Sequence, residues 1–199
     1  MSNDNAPQIA AAGGLGVSPE VEALISEQVR LQVAAEFKRL GLDPARPKRA
    51  ALIASKGTLD MAYPPLILAT AAAAMDMEAA IFFTFYGLDI VRKSKLSHLK
   101  VPPLANPAMP VPVPNIIGML PGMTHMATWM MKDWMKKAGV PTIPDLLDFS
   151  KENGVRLIVC QMSMDVLGVK KEDLIDGLEF SGAAAYLDYA ADADITLFV

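Results

Sequence analysis

The chain contains a single cysteine, Cys160, and its neighbours give it a setting in which a thiol can react. Val155, Arg156, Leu157, Ile158 and Val159 make a short, mostly apolar run that ends at Cys160, the pattern of a buried strand. Gln161, Met162, Ser163, Met164, Asp165, Val166, Leu167 and Gly168 follow as a loop running into a helical turn. A thiol at a strand's carboxyl end, facing the amino end of the next helix, is held partly as thiolate by the helix dipole. In an open α/β sheet that same edge is where ligands bind. The competing reading is also physical: a free cysteine behaves as a small hydrophobe and packs as one.

A second candidate is the turn Ser55-Lys56-Gly57-Thr58. It follows an apolar run and precedes a helical pattern, so its backbone N–H groups could hold an anion. It is not a P-loop, because the G-x-x-x-x-G-K-[ST] spacing is absent, and there is no G-x-G-x-x-G. Read alone, the feature is better explained by a plain tight turn with Thr58 or Asp60 capping the helix. In a parallel sheet this turn shares an edge with Cys160. Methionine is abundant, at 13 residues. Met119, Met123, Met126 and Met130 fall at helical steps, Trp134 extends the stripe, and Met162 and Met164 flank the cysteine. Thioethers and a thiolate are soft ligands that could hold Cu(I), yet such stripes also pack cores and interfaces. His98 and His125, the only histidines, form no H-x-x-x-H pair and stand far from Cys160 in sequence. A zinc site has too few ligands and no resident metal or cofactor is expected.

These residues need elements to position them. Ser18 suits an N-cap, Pro19 a first helical position, and Glu20 and Glu22 the positive end of the dipole. Val21, Ile25, Val29, Val33 and Phe37 continue at steps of four and Gly41 stops the helix. A Pro-rich basic linker follows (Pro44, Arg46, Pro47, Lys48, Arg49). Then strands and helices alternate. Strands are expected at Ala50–Ser55, Ala79–Tyr86, Val155–Cys160, Leu178–Phe180 and Ile195–Val199. Helices are expected at Met61–Met77, with Pro64 and Pro65 in its first turn, and at Leu88–Lys95, 123–138, Ile143–Asn153, Lys170–Gly177 and Ser181–Ala191. Strands apolar throughout, separated by helices, predict a three-layer α/β fold, flavodoxin-like in style, with a mostly parallel sheet covered on both faces. We divide the chain into a disordered leader (1–17), an amphipathic helix and linker (18–49), and an α/β domain (50–199) with an insertion at about 100–140. The helix is a candidate oligomer seam.

At 199 residues, 52% hydrophobic and 20% charged, the chain can bury a sizeable core. A net charge of -4 does not ask for nucleic acid. Met1–Asn5 carry no basic signal region, and one cysteine makes no internal disulfide, so a cytoplasmic setting is expected. The uncharged runs 61–75 and 79–88 are too short to span a membrane. The run 101–131 is also uncharged but is broken by seven prolines up to Pro121. We expect this Pro-rich excursion to pack on protein and shield Cys160, with membrane contact as the alternative.

Several segments together resemble the DsrE/DsrF/DsrH-like sulfur-relay family, in the larger branch with an apolar, Pro/Met-rich insertion. They are Ser55–Asp60 (SKGTLD), Phe82–Asp89 (FFTFYGLD), His98–Val101 (HLKV), 106–109 (NPAM), 120–123 (LPGM) and Cys160–Gly168 (CQMSMDVLG). The resemblance implies an intracellular sulfur carrier, sulfurtransferase-like if it is an enzyme. Cys160 would accept sulfur as a persulfide and pass it to a partner, a TusA-like carrier or a rhodanese. It also implies a homo-oligomer. Some members have a second cysteine, which this chain lacks. Candidates to bind around the thiol are Lys56, Gly57, Thr58, Gln161, Met162 and Ser163. Two other readings stand beside it. A Cu(I) module needs the sulfurs of Cys160 and the methionines to converge on one point, and a non-catalytic interaction subunit needs a thiol without solvent access. A carrier calls for an open thiol beside N–H donors.

Overall fold

The computed structural model describes residues 18–40, 46–102 and 122–199. The chain divides into two units, Met1–Arg46 and Pro47–Val199. In the first, α1 runs from Pro19 to Arg39 behind Ser18, whose extended backbone occupies the N-cap without a side-chain cap bond. Glu20 and Glu22 lie in its first turn and Lys38 and Arg39 in its last, as the helix dipole favours. Every residue of α1 is exposed, including Val21, Ile25, Val29, Val33 and Phe37. The leader 1–17, the Gly41 stop and Pro44 lie outside the described residues, as does the excursion 103–121 with its shielding role.

The second unit is built on five parallel strands: β1 (Arg49–Ala54), β2 (Glu78–Phe83), β3 (Arg156–Cys160), β4 (Glu179–Ser181) and β5 (Ile195–Phe198). Their order is β4-β3-β2-β1-β5. The three-layer α/β class is as expected, although flavodoxin itself orders its strands 2-1-3-4-5. Apolar residues fill both faces of the central strands because both faces are covered. One face carries the larger core. Leu52 and Ala54 of β1, Ile81 and Phe83 of β2, and Leu157 and Val159 of β3 point into it. Helices α2 (Leu59–Ala74), α4 (Ile143–Glu152) and α5 (Gln161–Leu167) cover that face, with α3 (Met123–Lys137) lending Met131 and Met135. The alternate residues Ala51, Ala80, Phe82, Ile158 and Cys160 point to the other face, where they cluster with Tyr186 of α6 (Ala183–Ala191).

Several boundaries differ from expectation for physical reasons. Helix α2 starts at Leu59, so Pro64 and Pro65 stand inside it rather than in its first turn. The early start buries Leu59, whose N–H donates to the Lys100 carbonyl. Strand β2 stops at Phe83, and Phe85–Ile90 form a 3-10 turn instead of strand and helix. The helix expected at Lys170–Gly177 is only a 3-10 turn at Lys171–Asp173. There Leu174 pairs as an antiparallel bridge with Arg92, and the Ile175 N–H donates to the Val91 carbonyl, which pulls the chain out of helix. Helix α5 begins directly at Gln161, with no intervening loop. The Met/Trp stripe of α3 does not face the core. Met126 and Trp134 are exposed, while Thr128, Met131 and Met135 turn inward. Met119 lies outside the described residues.

Candidate functional site

Because all five strands are parallel, their carboxyl ends meet on one edge. Cys160 ends β3, pairs in register with Ser181 at the end of β4, and serves as the N-cap residue of α5. On its other side Val159 pairs with Phe83, so Thr84 follows next to Cys160. Beyond β2 lies the turn after β1, Ser55-Lys56-Gly57-Thr58, as the parallel arrangement predicted.

Three loops on this edge are tied together. The Ser163 hydroxyl is fully buried, accepts the Phe85 N–H at 2.9 Å and shares a hydrogen bond with the Thr84 hydroxyl at 3.0 Å. This clamp joins the first turn of α5 to the chain leaving β2. It holds Phe85 at φ 46°, a left-handed conformation that a non-glycine residue adopts at a cost. Gly87 and Gly57 complete the tie. A Cβ on Gly87 would run into the Ala54 carbonyl, and one on Gly57 into the Tyr86 carbonyl, so only glycine lets these backbones meet. Ser55 in turn donates its N–H and its hydroxyl to the Val199 carbonyl at 2.8 and 2.9 Å. The ends of β1, β2, β3 and β5 thus form one braced surface.

The sequence candidates take different places on it. Cys160 is only 2% exposed, its side chain in the α6-side cluster. The open thiol expected of a carrier is therefore not what the structure presents, because the alternation of β3 turns Cys160 under α6 rather than outward. Lys56 is exposed, and Gly57 packs against Tyr86. Thr58 is the N-cap of α2, but its side chain makes no cap bond and its buried hydroxyl has no partner; the same holds for one buried carboxylate oxygen of Asp60. Gln161 and Met162 are exposed in the first turn of α5. Ser163 is committed to Thr84 and Phe85. Phe85, Tyr86, Met162 and Val166 leave an apolar patch exposed around the edge.

The ligands of the Cu(I) reading do not converge. Cys160 lies in the cluster on one face of the sheet, Met164 in the core on the other, and Met162 faces solvent. Among the described residues no three His, Cys, Asp or Glu side chains group as a metal site. His98 is hydrogen-bonded to Ser97 and His125 to Lys100. A cavity of about 570 Å³ opens between α2, α3 and α4, lined by Leu59, Tyr63, Lys132, Met135 and Ile143 among others; Cys160 is not part of its wall. Among the described residues no helix is long and apolar enough to cross a membrane.

Two tyrosines that the sequence reading passed over shape the face above Cys160. The Tyr186 ring stacks on Phe82 with centroids 4.6 Å apart and planes 18° from parallel. Burial, with a smaller contribution from Tyr189, pushes the Tyr186 phenol up to about 12, so it stays neutral. Tyr189 lies toward the opposite, amino edge, between the guanidinium groups of Arg49 and Arg156. Each arginine is ion-paired, Arg49 with Glu78 and Arg156 with Glu179. The hydrogen bond from Arg156 holds the Glu179 carboxyl below the usual carboxylate range. The signal in the sequence was the spacing of Tyr186, Tyr189 and Ala190 on one face of a short helix.

The model of the DsrE/DsrF/DrsH-like family matches residues 46–198. A protein of Allochromatium vinosum named sulfur carrier protein DsrE2 is 46% identical over 158 residues, which cover 76% of this chain and 98% of that protein. The uncharacterized protein YrkE of Bacillus subtilis is 35% identical over 162 residues, covering 76% of this chain and 97% of its own. Among solved structures, the ychN protein from E. coli aligns with a TM-score of 0.46 and 14% identity, over 76% of this chain and 99% of that one. With the family model spanning the whole α/β unit and these two relatives covered almost end to end, the chain belongs to the DsrE/DsrF/DrsH-like family.

Proposed function

We propose that the protein is a sulfur carrier that accepts sulfur as a persulfide on Cys160 and passes it to a partner protein. The observation that carries this reading is the position of its single cysteine at the carboxyl end of β3, in a chain 46% identical to a protein named a sulfur carrier. In the loading step the Cys160 thiolate attacks the outer sulfur of a donor persulfide. The new bond joins Cys160 Sγ to that sulfur, the donor's S–S bond breaks, and the donor leaves as a thiolate. Unloading is the same exchange with the partner thiolate as attacker. No electrons are gained or lost overall, so no redox cofactor is required. One thiol suffices, which matches a chain that cannot form an internal disulfide.

The resemblance supplies the kind of partner: a TusA-like carrier or a rhodanese. The apolar patch of Phe85, Tyr86, Met162 and Val166 beside the cysteine is suited to such a protein contact. Lys56, exposed on the turn after β1, is our candidate to meet an anionic donor such as thiosulfate. We also infer a homo-oligomer, since α1 leaves Val21, Leu24, Ile25, Val29, Leu31 and Phe37 exposed, and Ile195, Leu197 and Phe198 of β5 are exposed as well. A cytoplasmic setting suits a thiol that must stay reduced between cycles.

The test is the intact mass after incubation with a persulfide donor or thiosulfate. The wild type should gain one sulfur, about 32 Da, and Cys160→Ser should gain none. Equal loading of the variant refutes the carrier role of Cys160.

A further inference from the structure

Loading requires the Cys160 sulfur to meet a donor, yet the thiol is only 2% exposed. The two faces of the sheet differ in how firmly they are closed. On the larger core, α2, α4 and α5 each bury several residues or pack on a neighbouring helix. On the side to which Cys160 points, the described cluster members from outside the sheet all come from α6 and the turn after it. That helix is nine residues long and has one buried residue, Tyr186, at 3% exposure. Leu187, one residue on, is exposed.

The attachment of α6 is also uneven. Its far end is clasped at the amino edge, where the Arg49 N–H donates to an Asp194 carboxylate oxygen at 2.8 Å and the Asp194 N–H donates to the Arg49 carbonyl at 3.0 Å. Its near end starts at Gly182, immediately after Ser181, the residue paired with Cys160. Gly182 supplies no side-chain cap, and a Cβ there would meet nothing within 4 Å. The weakly held end therefore lies beside the thiol, and short elements with few buried contacts are those that open first in native proteins.

We propose that α6 is the gate to Cys160 and Tyr186 its latch: the helix lifts at its Gly182 end, the Tyr186–Phe82 stack parts, and the sulfur donor reaches the thiol from that face. This rests on the carrier reading of Cys160 for its purpose, although the opening itself is a property of the fold. It explains how a buried cysteine can carry a labile sulfur: the persulfide is closed off from stray thiols between encounters.

The experiment follows alkylation of Cys160 by iodoacetamide in the full-length native protein, with peptide mapping to the single thiol. Tyr186→Ala should raise the rate about tenfold or more, since truncation removes the ring that holds the helix to the sheet. Gly182→Ser should lower it about twofold by capping α6. Leu147→Ala, which opens a cavity in the larger core on the other face, serves as the control for global loosening. It should change the rate less than Tyr186→Ala at matched stability. Equal acceleration by Leu147→Ala and Tyr186→Ala, or rates that ignore Tyr186 and Gly182, would overturn the gate. If Tyr186→Ala does not fold, Tyr186→Leu and Gly182→Ser decide the question. Persulfide loading is read separately by mass. A thiol that responds to both gate variants but never loads refutes the carrier and leaves the gate; one that loads but ignores them does the reverse.

Discussion

Replacing Ser163 with alanine removes a hydroxyl that is fully buried and makes two hydrogen bonds. The two losses are unequal. Thr84 is only partly buried, so its hydroxyl can turn to water at little cost. The Phe85 N–H points at Ser163 from 2.9 Å and loses its acceptor. A backbone donor left without a partner costs about 1–3 kcal/mol. Part of this returns if Phe85 relaxes from its φ of 46°. We therefore expect a net loss of roughly 1.5 kcal/mol. For a chain of this size that lowers the melting midpoint by roughly 3–6 °C. Circular dichroism melts of the wild type and Ser163→Ala measure the shift, and urea titrations give the free energy independently. Ser163→Thr keeps the acceptor and should recover part of the loss if its methyl group can be housed. A midpoint within 1 °C of wild type, by about the same conversion, would refute the reasoning. It would mean that the loop after β2 is held by its other ties, the Thr84 N–H to the Ala54 carbonyl and the Gly87 N–H to the Ser55 carbonyl.

Three further outcomes follow. Gly87→Ala should lower stability far more than Gly182→Ala, because a Cβ at Gly87 meets the Ala54 backbone and one at Gly182 meets open space; equal melting points would contradict the close approach. The Asp145 carboxyl is held below its usual range by hydrogen bonds from the Thr142 hydroxyl and then the Thr142 N–H. Its contribution is thus complete above the unfolded-state value of about 3.9 and is lost as pH falls through the lower folded-state value. The stability gap between wild type and Asp145→Ala, from urea midpoints, should close only in that acid window, and a gap that first closes near neutral pH would be inconsistent with it. Light scattering should give an oligomer for the full-length protein, with a version starting at Pro47 showing whether α1 provides the seam; a full-length monomer at micromolar concentration would end the oligomer proposal.

Much of the architecture was readable because burial on both faces leaves a plain mark. After one charged residue each, β1, β2 and β3 are apolar to their ends, and the helices between them carry regular spacing. The class, the parallel edge and the neighbourhood of Cys160 and the Ser55–Thr58 turn all follow from that. The departures come from tertiary contacts that propensity does not contain. Phe82–Tyr86 has strand composition throughout, but the chain turns at Thr84 because Ser163, 79 positions away, captures it. Lys170–Gly177 has helical composition, yet Leu174 is drawn into a bridge with Arg92. Burial of Cys160 stood among the alternatives, but the face it takes was not legible, since a strand covered on both faces gives no alternation to say which side a residue takes. Tyr186 offered only its spacing with Tyr189 and Ala190, because its value lies in one stacking partner, Phe82, on a strand 104 residues earlier in the chain.

The bond between Ser55 and the Val199 carbonyl bears on how the protein can be handled. Since β5 is parallel to β3, Val199 emerges on the edge that holds Cys160. Only β2 and β1 stand between β3 and β5, a separation of roughly 14 Å at the usual strand spacing. An affinity tag, fluorophore or surface tether joined after Val199 would leave from beside the Ser55–Thr58 turn, within reach of an arriving partner. It would also compete with the hydrogen bonds that hold the turn. A partner's affinity measured with and without such an extension after Val199 would report on how close to that edge it docks.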